Sequence, residues 1–168
     1  DTAQTCTALR LGSGISIAER LCAFAKPADS GPRLDEGFGD SPAVRAARRI
    51  VADLLEWRRG GIAWSDFSHS LLLYGPPGTG KTWLARAMGN SAGITCVTGS
   101  FAEWQAAGHL GDMLREMRRT FAIARKSAPA ILFIDEIDAM GSRTGDDRHN
   151  QNYRTQVING FLGEMNAL

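Results

Sequence analysis

The stretch GPPGTGKT, residues 75–82, carries the strongest chemical pattern in the chain. Gly75, Gly78 and Gly80 leave room for a tight curl, Pro76, Pro77 and Thr79 stand between them, and Lys81 and Thr82 close the run. The spacing G-x-x-x-x-G-K-[ST] lets successive backbone N–H groups point inward around phosphate oxygens. Lys81 then reaches the β- and γ-phosphates of a nucleoside triphosphate, and the Thr82 hydroxyl is placed to ligate Mg²⁺. Trp83, the next residue, is grouped with this nucleotide-binding set. The bland alternative is a glycine-rich turn with no ligand. Against it, the motif sits directly after an apolar run and directly before a helical pattern, the context this chemistry needs.

A second constellation is ILFIDE, residues 131–136. Four apolar residues read as a buried strand that exposes Asp135 at its C-terminal end, where open α/β sheets bind ligands. Asp135 is a Mg²⁺ ligand in this reading, usually through water, and Glu136 is placed to polarise a water for in-line attack on a γ-phosphate. A strand ending in solvated acids is the alternative. Enzymes that transfer phosphate to a hydroxyl must avoid water and generally lack such a glutamate, so the pair Asp135 and Glu136 favours hydrolysis.

These groups need a scaffold. Ser41 as N-cap and Pro42 at the first helical position open a helix, with Val44, Ala47, Ile50, Val51, Leu54, Leu55 and Trp57 at helical spacing and Gly60 and Gly61 as the stop. SLLLY (residues 70–74) reads as a buried parallel strand, TWLARAMGNSAG as a helix and ITCVT (residues 94–98) as the next strand. GSFAEWQAAGHLGDML (residues 99–114) reads as a loop leading into a helix through about Lys126, with Leu110, Met113, Leu114, Met117, Phe121 and Ala124 on one face. AILFIDEI supplies a third strand. The alternation predicts an α/β fold, a parallel sheet flanked by helices in three layers with right-handed crossovers. GISIAERLCAFA suggests a short helix, and residues 26–40 a turn-rich connector.

A length of 168 residues suffices for one domain with a core, and a net charge of +1 gives no electrostatic case for nucleic acid or anionic membranes. The three cysteines, Cys6, Cys22 and Cys96, are widely spaced. They predict no disulfide framework or zinc site, hence a reducing, cytoplasmic setting. No membrane-spanning run or signal peptide is evident, and the missing initial methionine suggests part of a longer protein.

LLLYGPPGTGKT together with ILFIDEIDAMGSR resembles the AAA+ ATPases, a family of P-loop NTPases, and within it the AAA proteins proper. WRRGGIAWSDFSHSLLLYGPPGTGKT and WQAAGHLGDMLREM are similar to a bacterial subgroup related to ATP-dependent zinc proteases. QVINGFLGEMNAL resembles the family's LLxEMDG helix, with Asn166 in place of aspartate. The resemblance divides the chain into an unassigned connector, residues 1–33, and a partial AAA+ large subdomain, residues 34–168.

By that resemblance the ligands are ATP and Mg²⁺, and GFGD puts Gly39 and Asp40 where the family places an adenine-contacting turn. The stretch at 99–114 corresponds to a loop that enters the pore of a hexamer and grips protein substrate. Trp104 and Gln105 are the candidate contacts, although Gln105 replaces a hydrophobic residue. Burial of Trp104 against the following helix is the competing reading. The resemblance implies a homo-hexameric full-length protein acting on protein substrates, with no nucleic-acid partner and no membrane segment in this chain. Sensor-1 residue, arginine finger and lid fall beyond Leu168, so these residues alone should bind nucleotide better than they turn it over. No H-E-x-x-H occurs, and the three histidines are far apart, so protease chemistry is absent here. Arg143, Arg148 and Arg154 are either surface residues or approach a neighbouring subunit's nucleotide. Other readings are a nucleic-acid motor or clamp-loader-like ATPase, and an adaptor that assembles on ATP without productive hydrolysis.

Overall fold

Ser41 and Pro42 open the first helix as their types predict. The Ser41 hydroxyl accepts the Val44 N–H at 3.3 Å, and Pro42 begins helix α1, Pro42–Arg58. The structure is a computed structural model that describes residues 31–140 and 148–168, with residues 148–151 described by backbone alone. The helix expected from GISIAERLCAFA, Cys6, Cys22, Arg143 and the Arg148 side chain lie outside the described residues. So does nearly all of the unassigned connector.

The described residues fall into two compact units, one ending at Cys96 and one starting at Val97. In the first, α1 buries Val44, Ala47, Val51 and Leu54. Helix α2, Lys81–Ala92, packs against it and buries Leu84, Ala85, Ala87, Met88 and Ala92. Each of the larger apolar side chains contributes roughly 1.5–3 kcal/mol on full burial. Polar contacts fasten the edges of this pair. Arg58 donates to the Ala92 carbonyl at 2.9 Å, the Leu34 N–H donates to Ser91 Oγ at 2.9 Å, and Arg48 donates to the carbonyls of Leu34 and Phe38. Half-buried Cys96 is a free thiol whose pKa is raised by burial, with the Arg86 cation opposing the shift.

The strand expected at residues 70–74 does not form. This run is extended without a ladder partner, and Leu72 and Tyr74 are 79% and 102% exposed. An apolar, β-prone run becomes a strand only through hydrogen bonds to a neighbour, and neither described strand supplies them.

The second unit takes in most of β1 (Thr95–Ser100), then α3 (Phe101–Ala106), α4 (Leu110–Lys126), β2 (Ala130–Asp135) and α5 (Arg148–Asn166). Strands β1 and β2 pair as a parallel sheet joined by a helical crossover, which gives the expected α/β class with two strands rather than three. Helix α4 turns Met113, Met117, Phe121 and Ala124 inward. Phe101, Trp104, Val157 and Phe161 complete one buried cluster with the first three. Arg125 ties α4 to α5 through Glu164 at 2.9 Å, with Arg118 at 3.9 Å from the same carboxylate.

Trp104 corrects the reading of residues 99–114 as a displaying loop. The segment folds into the short helix α3, and the indole is only 3% exposed. It meets Phe101 edge-on at 5.1 Å, and its Nε1–H donates to Thr120 Oγ1 at 3.2 Å. Gly99 makes room for it, because a Cβ there would stand 2.6 Å from the indole Cζ2. A buried ring cannot grip a passing polypeptide, so the core reading of Trp104 holds, whereas Gln105 beside it is exposed. Trp104→Ala should lower the unfolding free energy by ~3–5 kcal/mol, seen as a lower urea midpoint by circular dichroism. An unchanged midpoint would return the indole to the surface.

Candidate functional site

Gly78 and Gly80 carry the phosphate loop through backbone that other residues avoid, with φ of 77° and 84°. Gly80 is also the N-cap of α2 and makes no side-chain cap bond to the N–H groups that open the helix. Thr79 Oγ1 donates to the Pro76 carbonyl at 2.8 Å and braces the turn. The Lys81 ammonium folds back over the loop, donating to the carbonyls of Gly75 at 2.8 Å and Pro76 at 3.0 Å. A cation at the mouth of a glycine curl, beside a helix N-terminus, fits polyphosphate. Trp83 is on the first turn of α2 with its ring 54% exposed. Before α1, Gly39 and Asp40 follow a turn, and the Asp40 carboxylate pairs with Arg45 at 3.2 Å and Arg48 at 3.7 Å.

Asp135 and Glu136 belong to the second unit. Asp135 ends β2, as its place after four apolar residues predicts. Glu136 leaves the strand with a φ of 55°, the one left-handed non-glycine residue among those described. That conformation costs about 1–2 kcal/mol and ends the strand sharply. Two hydrogen bonds hold the turn. The Glu136 N–H donates to Asp135 Oδ1 at 3.0 Å, and Ser100 Oγ donates to Glu136 Oε2 at 3.1 Å. Ser100 is the partner of the Glu136 carboxylate that sequence reasoning did not single out. The available signal was a hydroxyl at the C-terminal end of the strand preceding α3, the side of a parallel sheet where ligands collect.

The donor set suits a hard cation. Thr82 in the first unit and Asp135 in the second each offer an oxygen ligand of the kind Mg²⁺ takes. Among the described residues no group of three or more His, Cys, Asp or Glu could hold a metal by itself.

Residues 71–168 match the family described as "ATPase family associated with various cellular activities (AAA)". The chain belongs to the AAA ATPase family. It is 46% identical over 142 residues to "ATP-dependent zinc metalloprotease FtsH 3" of Sphaerobacter thermophilus, covering 80% of this chain and 28% of that protein. It is 33% identical over 162 residues to "Mitochondrial inner membrane m-AAA protease component AFG3L2" of Mus musculus, covering 94% of the chain and 20% of the relative. "Proteasome-activating nucleotidase" of Methanopyrus kandleri is 45% identical over 93 residues, covering 52% of the chain and 21% of that protein. The chain thus spans less than a third of the length of these relatives. No described helix is long and apolar enough to cross a membrane.

Because Ser100 fixes one oxygen of Glu136, its removal should loosen the carboxylate without touching the phosphate loop. In the full-length protein Ser100→Ala is expected to lower ATP turnover roughly two- to tenfold, the worth of one hydrogen bond, with nucleotide affinity unchanged. Steady-state turnover equal to that of the unaltered protein would remove Ser100 from the site.

Proposed function

We propose that this chain is the nucleotide-binding core of an ATPase that uses Mg²⁺-dependent ATP hydrolysis to remodel or unfold proteins, or to deliver them to a protease. The observation that carries it is the phosphate loop itself: two glycines at positive φ, a glycine N-cap that makes no cap bond, and Lys81 folded back onto the loop carbonyls. Lys81 moves from the loop carbonyls to the β- and γ-phosphate oxygens and neutralises part of their charge. Backbone N–H groups of residues 75–82 hold the remaining oxygens. Trp83, Gly39 and Asp40 are the residues assigned to the nucleoside end. When bound, Mg²⁺ supplies positive charge that stabilises the charge developing between the β- and γ-phosphates, with Thr82 and Asp135 as its protein ligands. Glu136 orients the attacking water and takes up its proton, and Ser100 keeps one carboxylate oxygen in place.

Support for work on proteins comes from the relatives. The names of the metalloprotease and of the proteasome-activating nucleotidase join ATP or nucleotide to proteolysis. A "26S proteasome regulatory subunit 6B homolog" of Aspergillus niger, 40% identical over 103 residues, carries the proteasome in its name as well. Assembly into a homo-hexamer, an action on the cytoplasmic side, and separation of any protease chemistry from these residues belong to the same proposal.

In the full-length protein Glu136→Gln should keep ATP binding and reduce turnover by more than a hundredfold, the scale on which a positioned general base acts, ~10²–10⁴. Turnover that survives the change would take Glu136 out of the role. Lys81→Ala should abolish binding of a fluorescent ATP analogue, and micromolar affinity retained in that variant would contradict the cradle. Hydrolysis by the unaltered protein distinguishes a motor from an adaptor that only assembles on ATP.

A further inference from the structure

Arg154 belongs to the second unit, on α5. Half-buried on α5, it lines a cavity of about 250 Å³ with Gln105, Ala139, Met140, Tyr153 and Val157. All six belong to the second unit: Gln105 on α3, Ala139 and Met140 on the 3₁₀ turn Ile137–Met140, the others on α5.

The floor of this cavity is apolar and fixed. Val157 is part of the buried cluster, against which Met140 and Tyr153 pack. The Tyr153 hydroxyl donates to Met113 Sδ at 3.1 Å, which holds the phenol in place. The exposed Gln105 and the half-buried Arg154 complete the lining. On neighbouring α4 the arginines are matched, with Arg115 paired to Asp112, Arg118 and Arg125 to Glu164, and Arg119 to Glu116. Among the described residues Arg154 has no carboxylate and no hydrogen-bond acceptor of its own.

A guanidinium presents a planar fork of N–H donors that a carboxylate satisfies with two parallel bonds. Desolvated against an apolar floor, such a pair is stronger than on an open surface. The geometry points to a subsite for an acidic side chain of a polypeptide, its carboxylate held by Arg154 and the Gln105 amide, its methylene stem against Ala139, Met140 and Val157. A phosphoryl group fits less well, since it brings up to two charges to one cation and would press further oxygens onto Met140 and Val157. This subsite rests on the reading that the protein acts on polypeptides. It keeps Gln105 of the two contacts the sequence had suggested, puts Arg154 in place of Trp104, and makes the preferred substrate acidic with apolar flanks.

The test uses two short fluorescein-labelled peptides, one of alternating Glu and Leu and one with Gln at every Glu position. Their binding to the full-length protein is followed by anisotropy, with a fluorescent ATP analogue titrated separately. The Glu peptide is expected to bind about tenfold more tightly, one charge-assisted contact's worth. Arg154→Gln should erase the difference and Arg154→Lys should keep part of it, with circular dichroism unchanged in both. Equal affinities for the two peptides, or a preference that survives Arg154→Gln, overturn the proposal. So does a loss of self-association in Arg154→Gln, by sedimentation, with peptide binding unaffected, because the carboxylate would then come from a second copy. Failure to bind the ATP analogue would instead overturn the ATPase reading and leave the peptide result to be judged by itself.

Discussion

The contact between the Trp104 indole and the backbone of Gly99 fixes how the second unit is arranged. At Gly99 any side chain would stand within 2.6 Å of the ring, so the strand can end beneath the indole only because that position is bare. The Trp104 Nε1–H bond to Thr120, and the Thr120 hydroxyl's own bond to the Glu116 carbonyl, then lock α3 onto α4. Ser100 lies between Gly99 and the start of α3, so its position is set by the same packing. From there its hydroxyl reaches Glu136. A core contact thereby determines where the Glu136 carboxylate is held, through the short run from Gly99 to Trp104.

The phosphate loop works under the opposite constraint. Its backbone must stay uncovered, because the N–H groups that a protein side chain would cap are the groups a phosphate needs. Glycine at positive φ achieves this without a side chain in the way. With the ligand site facing outward, Lys81 turns to the loop's own carbonyls at 2.8 and 3.0 Å, which keeps a flexible cation at the mouth. In one unit a bare glycine admits an indole, and in the other bare glycines carry the loop through left-handed backbone.

This difference explains what could be read from the residues in advance. Ser41 with Pro42, the apolar face of α4, and the glycine loop are local patterns, each with a mechanism confined to a few neighbouring residues, and each was legible. Asp135 was legible too, because four apolar residues followed by acids announce the end of a strand, although β2 is half-buried along its length rather than buried. The run at 70–74 was misjudged because strand formation depends on a partner elsewhere in the chain, which hydrophobicity alone does not encode. Trp104 was ambiguous for a related reason: small residues after it suggested a loop, while its burial depends on Gly99 and on Thr120, sixteen residues further along. Ser100 was missed because its importance lies in a contact across thirty-six residues to Glu136.

The functional groups share a place in the architecture for a physical reason. Lys81 begins a helix, Asp135 ends a strand, and Ser100 ends one element and precedes the next. Inside helices and strands the backbone polar groups are already paired and the side chains are committed to burial or solvent. At the ends, backbone groups are left over and side chains can turn toward them. Glu136 shows the consequence most clearly. One step beyond β2 it takes a left-handed conformation, unfavourable by about 1–2 kcal/mol, and two hydrogen bonds of roughly 0.5–1.5 kcal/mol each offset that strain. The carboxylate is therefore held in direction by the Ser100 bond while its backbone is kept off the strand path. Its orientation rests on a near balance, so the loss of either hydrogen bond would be felt at the carboxylate before it was felt in the fold.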